Sequence, residues 1–250
     1  MRRHVVPAFL DFDYRANSFH PINDAWEEEV KEMHRRSQAQ LRAGLGEEYG
    51  TRDLERKVGD FIAIGALPSS IIAHHNALLR QVRDAFVCGQ YFPALTGACA
   101  LGERILNHLL LDLRDDFRGT PEYKAVYRKE SFQDWELAVS TLETWGVLES
   151  GAAAAFLALA SLRHQSLHFN PQTYLRLRDD ALAAIGNLMT IVQNPFSAFG
   201  SSPWFIRGTP GTCFIKQSYE SNPFVRRYYL PLSPPRWGRG SLGRPTMASG

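Results

Sequence analysis

The residues best placed to do chemistry lie in one stretch, Ser161-Leu162-Arg163-His164-Gln165-Ser166-Leu167-His168-Phe169-Asn170-Pro171. Arg163 carries a guanidinium that can clamp phosphate oxygens in a bidentate fork. His164 and His168 carry imidazoles, whose ordinary pKa of about 6.5 suits proton transfer at neutral pH. On an unbroken helix Arg163 and His168 stand about 140° apart, so they converge only if the helix ends near Leu167. Asn170-Pro171 gives a reason for such an end: Asn is a good N-cap, Pro is favoured at the first helical position, and Pro disfavours helical geometry in the residue before it. A helix starting at Pro171 would offer free N–H groups and a positive dipole end close to His168. A guanidinium, an imidazole and a helix N-terminus together suit a phosphate. The same residues also fit a helix-end cap with a solvated face, and the spacing alone leaves both readings open.

The elements that must position this stretch are helices. Asn23 or Asp24 caps a first helix with Trp26, Val30, Met33 and Leu41 inward, stopped by Gly44 and Gly46. A second runs from about Thr51 to Ile64, with Leu54, Val58, Phe61 and Ile62 inward. A third opens at Pro68-Ser69-Ser70 and ends at Gly89, with Ile71, Ile72, Leu78, Leu79, Val82 and Phe86 as its stripe. A fourth follows from about Tyr91 to Leu113, buried along Leu95, Ala98, Leu101, Ile105, Leu109 and Leu113. The short Gly89-Gln90 link makes the third and fourth antiparallel neighbours. Ser131 caps a fifth helix that Gly146 ends. Ser150 caps the alanine-rich sixth, which carries the Arg163 stretch. The seventh runs from Pro171 to about Val192, with Tyr174, Leu175, Leu182, Ile185, Leu188 and Ile191 inward. Beyond Asn194-Pro195 the helical period is lost. Trp204-Phe205-Ile206 and Cys213-Phe214-Ile215 flank a turn-rich segment and read as a hairpin, with Phe224–Leu230 as a third strand. Val5–Phe12 reads as a further short strand.

Composition narrows the function classes. A hydrophobic fraction of 44% is enough for a real core, which excludes global disorder. No apolar run approaches the roughly 20 residues of a membrane helix, and the start lacks a signal-peptide pattern. Three widely spaced cysteines, Cys88, Cys99 and Cys213, argue for a reducing compartment rather than a disulfide framework. The reading is a cytoplasmic protein without membrane partners, metal or cofactor. His164 and His168 have the helical spacing of a zinc pair, but Gln165 stands where HExxH needs Glu, and no third ligand is near. His74, His75 and His108 read as packed or surface histidines, and Gly208–Thr212 as a turn rather than a phosphate loop.

Arg163-His164-x-x-x-His168, at the end of one helix and leading into the last helix of a bundle, resembles the Arg-x(4–6)-His motif of the HEPN superfamily. His164 fits the polar residue that commonly follows the Arg. The segment DAFVCGQYFPALTGACALGERILNHLL is similar to the first helix pair of that fold, and GVLESGAAAAFLALASLRHQSLHF to the approach to its motif. The likeness spans about residues 70–193. It implies a metal-independent endoribonuclease acting as a homodimer, in which a ribose 2′-OH attacks the adjacent phosphate. His168 would be the acid/base, Arg163 would stabilise phosphoryl charge, and His164 would position Arg163 or the substrate. Glu103 sits where a polar residue of the second bundle helix supports the motif. The family's toxins often work beside an antitoxin protein or in phage defence. Other members are inactive and serve as RNA-binding or dimerisation modules.

From Pro203 onward, seven basic residues face Glu220 alone, giving the tail about +6 and leaving about −4 for the rest of a chain whose net charge is +2. Arg207, Lys216, Arg226 and Arg227 interleave with Trp204, Phe205, Phe214, Tyr219, Tyr228 and Tyr229, a mixture that suits RNA contact or a small sheet covering a bundle edge. The expected architecture is mainly α: an N-terminal helical extension (1–65), a HEPN-like antiparallel helical bundle (66–194), a small C-terminal β appendage (195–232) and a disordered basic tail (233–250).

Overall fold

A computed structural model describes residues 2–4, 12–68, 70–132, 134–167, 171–197, 202–206, 214–233 and 235–237. The protein is mainly α. Eight α-helices occur among these residues: α1 (Glu28–Tyr49), α2 (Leu54–Ala63), α3 (Ala73–Val87), α4 (Tyr91–Leu113), α5 (Tyr123–Val126), α6 (Trp135–Thr144), α7 (Ser150–Leu167) and α8 (Pro171–Phe196). They belong to one compact unit, Asp11–Ser197, while a second unit is built from Met1–Leu10 and Ala198–Gly250.

In the larger unit α4 is the central element, packing on α3, α6, α7 and α8. Its leucine-rich face explains this: Leu95, Leu101, Ile105, Leu106, Leu109, Leu110 and Leu113 are all buried. Small residues set how closely its neighbours approach. A Cβ on Gly102 would stand 2.4 Å from Leu159 of α7, and one on Gly97 would stand 3.0 Å from Val82 of α3. Gly89, with φ of +80°, makes the sharp turn between α3 and α4 at a backbone conformation that other residues adopt only with strain. No helix among the described residues is long and apolar enough to cross a membrane.

Several boundaries differ from the sequence reading. α1 begins after Glu27, not at Asn23 or Asp24, and it runs through Gly44 and Gly46. Gly46 lies buried against the Leu54 side chain, so packing on α2 offsets the glycine penalty of about 1 kcal/mol, and the helix stops at Gly50 with φ of +81°. Its expected inward face is open: Trp26, Val30 and Met33 are exposed. Ile62 on α2 is exposed as well. The cap of α6 is Asp134, whose Oδ1 accepts from Leu137 N at 3.0 Å, rather than Ser131. α8 continues through Pro195 by one residue, because Phe196 is buried and its carbonyl accepts from Ile71 N at 2.9 Å. Tyr174 and Leu175, expected inward, are exposed.

In the smaller unit the expected β appendage is not seen. Phe205 and Ile215 form one antiparallel bridge in place of a hairpin, and the three-residue segments Arg2–His4 and Pro235–Trp237 pair antiparallel. Phe224–Leu230 is helical, with a π-helical turn over Val225–Tyr229. Its burial pattern explains why: Val225 and Tyr229 are buried four residues apart while Arg226 and Arg227 are exposed, whereas a strand would put Val225, Arg227 and Tyr229 on one face. Residues 5–11 and 238–250, including most of the expected strand Val5–Phe12 and of the basic tail, lie outside the described residues.

Candidate functional site

α7 leaves the core after Leu159, its last buried residue, and no described side chain from Ala160 to Ser166 is buried. Among the described side chains of α8 the first that is buried is Ala181, and none from Tyr174 to Asp180 is. The stretch singled out in the sequence therefore lies on the outlying ends of two helices. α7 is described as far as Leu167 and α8 from Pro171. His168 and Asn170 themselves lie outside the described residues.

Arg163 is one-third exposed, and its Nε meets Glu103 Oε2 at 3.0 Å. Periodicity within each helix is consistent with this contact, although it does not by itself pair the two helices. Cys99 and Glu103 are four residues apart on α4, and Leu159 and Arg163 are four apart on α7, so each pair shares a helix face. The inner pair is apolar: the Cys99 thiol lies 4.0 Å from the Leu159 carbonyl oxygen, and burial pushes its pKa up to about 12. The outer pair is ionic. Asn107, one turn further along α4, donates from Nδ2 to the Glu103 carbonyl at 2.9 Å and accepts from Phe132 N at 2.7 Å. The Ser166 hydroxyl donates to the Arg163 carbonyl at 3.1 Å. His164 is exposed, on the same outlying turn.

A second charged group anchors α8 near its start. Asp60 of α2 is 1% exposed and accepts from Arg56 Nη1 at 2.7 Å, Tyr91 Oη at 2.8 Å, and Arg178 Nε and Nη2 at 2.9 and 2.8 Å. The Arg178 guanidinium also lies 5.7 Å from the Phe86 ring centre. One carboxylate thus ties α2, the start of α4 and the exposed half of α8. Sequence reasoning missed this group. Arg56 and Asp60 carry a legible i, i+4 spacing, but Tyr91 and Arg178 are 31 and 118 residues from Asp60, and no local pattern links them to it.

The basic residues named for RNA contact are in the other unit. Arg207 lies outside the described residues. Lys216 donates to the Pro203 carbonyl at 2.7 Å, and Arg226 and Arg227 are exposed. The aromatic residues among them are largely committed to packing. Trp204, Phe205 and Tyr229 are buried, and the Trp204 and Phe205 rings lie 5.4 and 5.6 Å from that of Tyr229. These three rings are therefore not available to stack on bases, whereas Phe214, Tyr219 and Tyr228 are half-buried.

Among the described residues no group of three or more His, Cys, Asp or Glu side chains could hold a metal ion. His74, His75 and His108 come near one another, with ring centres 4.6 Å apart for His74–His75 and 6.4 Å for His74–His108. His75 is 3% exposed with no partner for Nδ1, and burial drives its pKa down to about 3. No protein-family model, no curated protein and no solved structure matches this chain.

Proposed function

We propose that the chain is a metal-independent endoribonuclease of HEPN type, with its site at the α7–α8 junction of a HEPN-like helical bundle. The observation that carries this reading is the Arg163–Glu103 ion pair between α4 and the outlying turns of α7. In the proposed reaction a ribose 2′-OH attacks the neighbouring phosphorus and the P–O5′ bond breaks. The products are a 2′,3′-cyclic phosphate and a 5′-hydroxyl. His168 serves as the acid/base that takes the 2′-OH proton and protonates the leaving oxygen. Arg163 stabilises the added negative charge on the phosphoryl oxygens. Glu103 positions that guanidinium, and its contact at Nε uses only part of a group with five N–H donors. His164 positions Arg163 or the substrate.

The site is a composite of two copies. Tyr174 and Leu175, 76% and 79% exposed on the first turns of α8, supply an apolar contact beside the motif. A toxin or phage-defence setting is the one the family resemblance implies, with an antitoxin protein as partner in the former.

One observation favours a second reading, a non-catalytic RNA- or protein-binding module of the same fold. The Arg163–Glu103 pair links α4 to α7 whether or not a phosphate binds, so it also suits a purely structural tie between the two helices. Incubation of the purified protein with mixed RNA in EDTA, beside Arg163→Ala and His168→Ala, separates the two. Cleavage by the wild type alone, leaving 2′,3′-cyclic phosphate ends, is the expected result. Equal cleavage by all three indicates a contaminant and removes the assignment, and RNA binding without cleavage selects the module.

A further inference from the structure

A cleft of about 540 Å³ is lined by residues of α1, α2, α3 and the segment before α1, and by none of α7 or α8. Its outer wall is the segment Phe12–Ser18, pinned in place by backbone hydrogen bonds between Asp13 and Leu67, 2.7 Å from Leu67 N and 3.4 Å from Asp13 N. The end of α1, with Glu48 and Tyr49, forms a second wall. Phe61 of α2 and Arg80, Arg83 and Asp84 of α3 complete the lining. The volume falls within the range of small-molecule sites.

The charges in this cleft are unevenly satisfied. Arg15 binds Asp13 at 2.8 Å and Glu48 at 2.7 Å, so these three neutralise one another apart from a single negative charge. Tyr49 Oη donates to Asp84 Oδ1 at 2.9 Å. Arg83 is different. It is only 4% exposed, yet among the described residues it has no ion pair. Its donors reach the carbonyls of Ile64 at 3.1 Å and Gly65 at 2.5 Å, and Met189 Sδ at 3.1 Å. The two carbonyls lie at the C-terminus of α2, whose dipole end gives partial compensation. Among the described residues no carboxylate contacts this nearly buried cation directly; Asp13 and Asp84 act on it only at longer range. Burial lowers its pKa to about 10. At the mouth, the Phe12 and Tyr14 rings lie 5.3 Å apart and remain 54% and 45% exposed, an apolar edge with nothing described over it.

We propose that this cleft binds a small organic monoanion, a carboxylate on a planar apolar body, with the carboxylate toward Arg83 and the body against the exposed rings of Phe12 and Tyr14. The lining limits the ligand's charge. Asp13, Glu48 and Asp84 balance Arg15, Arg80 and Arg83, so the lining is neutral overall: the attraction for an anion is local to Arg83, and a polyphosphate or nucleic-acid backbone meets no net positive field. The site is separate from the ribonuclease reading and does not depend on it.

The test is binding to the full chain of three carboxylates, benzoate, 4-hydroxyphenylacetate and indole-3-acetate, beside the neutral amide of each. Saturation-transfer NMR and calorimetry give the readouts. At least one carboxylate is expected to bind with Kd of about 1 mM or tighter and at least about tenfold more tightly than its amide. Phe12→Ala and Tyr14→Ala, which change exposed rings and leave the core intact, are expected to weaken that carboxylate and its amide alike by at least about fivefold. Arg83→Gln is expected to remove the preference for carboxylate over amide. If that variant does not fold, the wild-type carboxylate-to-amide ratio decides the charge claim alone. Absence of saturable binding by all three carboxylates, equal affinity for the amides, or unchanged affinity in both rim variants overturns the proposal.

Discussion

His75 makes the stability of the larger unit depend on mild acid. It sits on α3 at 3% exposure, with the Phe196 ring of α8 4.9 Å away and Nδ1 without a partner. Burial is the main reason its pKa falls from 6.5 to about 3, and the charges of His74 on its own helix and of His108 and Arg104 on α4 push in the same direction. The folded pKa is thus below the unfolded one, and between the two values the unfolded chain binds more protons. The stabilisation is complete above about pH 6.5 and is lost as pH falls toward about 3. At 1.36 kcal/mol per unit, acidification from pH 6.5 to 5 removes about 2 kcal/mol. His75→Phe keeps a ring against Phe196 and removes the titrating nitrogen. Urea unfolding followed by tryptophan fluorescence at pH 7, 6 and 5 is expected to show the variant gaining on the wild type by about that amount as pH falls. Comparing the two proteins cancels the carboxylates and His74. A difference between them that stays constant within about 0.5 kcal/mol from pH 7 to 5 would refute the assignment.

Five further substitutions test the packing and capping of the helices. Asp60→Asn is expected to cost about 2–3 kcal/mol by chemical denaturation, below the usual loss for a broken buried pair because Arg56 and Arg178 reach solvent; hydrogen exchange should rise in the first turns of α8. Gly102→Ala is expected to destabilise by about 1–2 kcal/mol, since Leu159 is fully buried and must move aside, whereas Gly59→Ala, with open space around it, should stabilise by about 0.5–1 kcal/mol. Thermal unfolding reads both signs. Asp134→Ala is expected to cost about 1 kcal/mol while Ser131→Ala changes stability by less than about 0.5 kcal/mol, as measured by urea titration.

The helices that were legible from sequence are those whose burial and whose stop signals agree. α4 is the clearest: its leucine face is continuous, and Gly89 in front of it is forced to positive φ. α1 and α8 were misjudged at places where a local signal competes with packing. Gly46 and Pro195 are both breakers by propensity, yet Leu54 covers the first and the burial of Phe196 holds the turn around the second. Trp26, Val30, Met33, Tyr174 and Leu175 carry a helical period without being buried. Periodicity reports which face a residue is on, and only the neighbouring elements decide whether that face is covered. The segment Phe224–Leu230 shows the opposite limit, because aromatic and β-branched content suggested a strand where the spacing of the buried residues is helical.

The candidate site has the same division. What the sequence exposes is its local half: the last turns of α7 with Arg163 in them, and the start of α8. What it hides is the group each charge depends on. Glu103 could be named beside Arg163 only through resemblance, since 60 residues separate them, and the Asp60 group that holds α8 through Arg178 was not visible at all. These hidden partners matter to the chemistry more than their distance from the motif suggests. A guanidinium that is to meet a phosphate must be held in one place without being fully neutralised, and one carboxylate at Nε meets both conditions while the fork's other donors set the capacity for an anion. Asp60 acts at the other side of the junction. With Arg178 fixed, the N-terminal turns of α8 have a defined direction even though none of their described side chains is buried. The helix ends that flank the motif are therefore oriented by ion pairs rather than by core packing, which makes charge-removing substitutions at Glu103 and Asp60, more than any cavity in the core, the perturbations to which the site should respond.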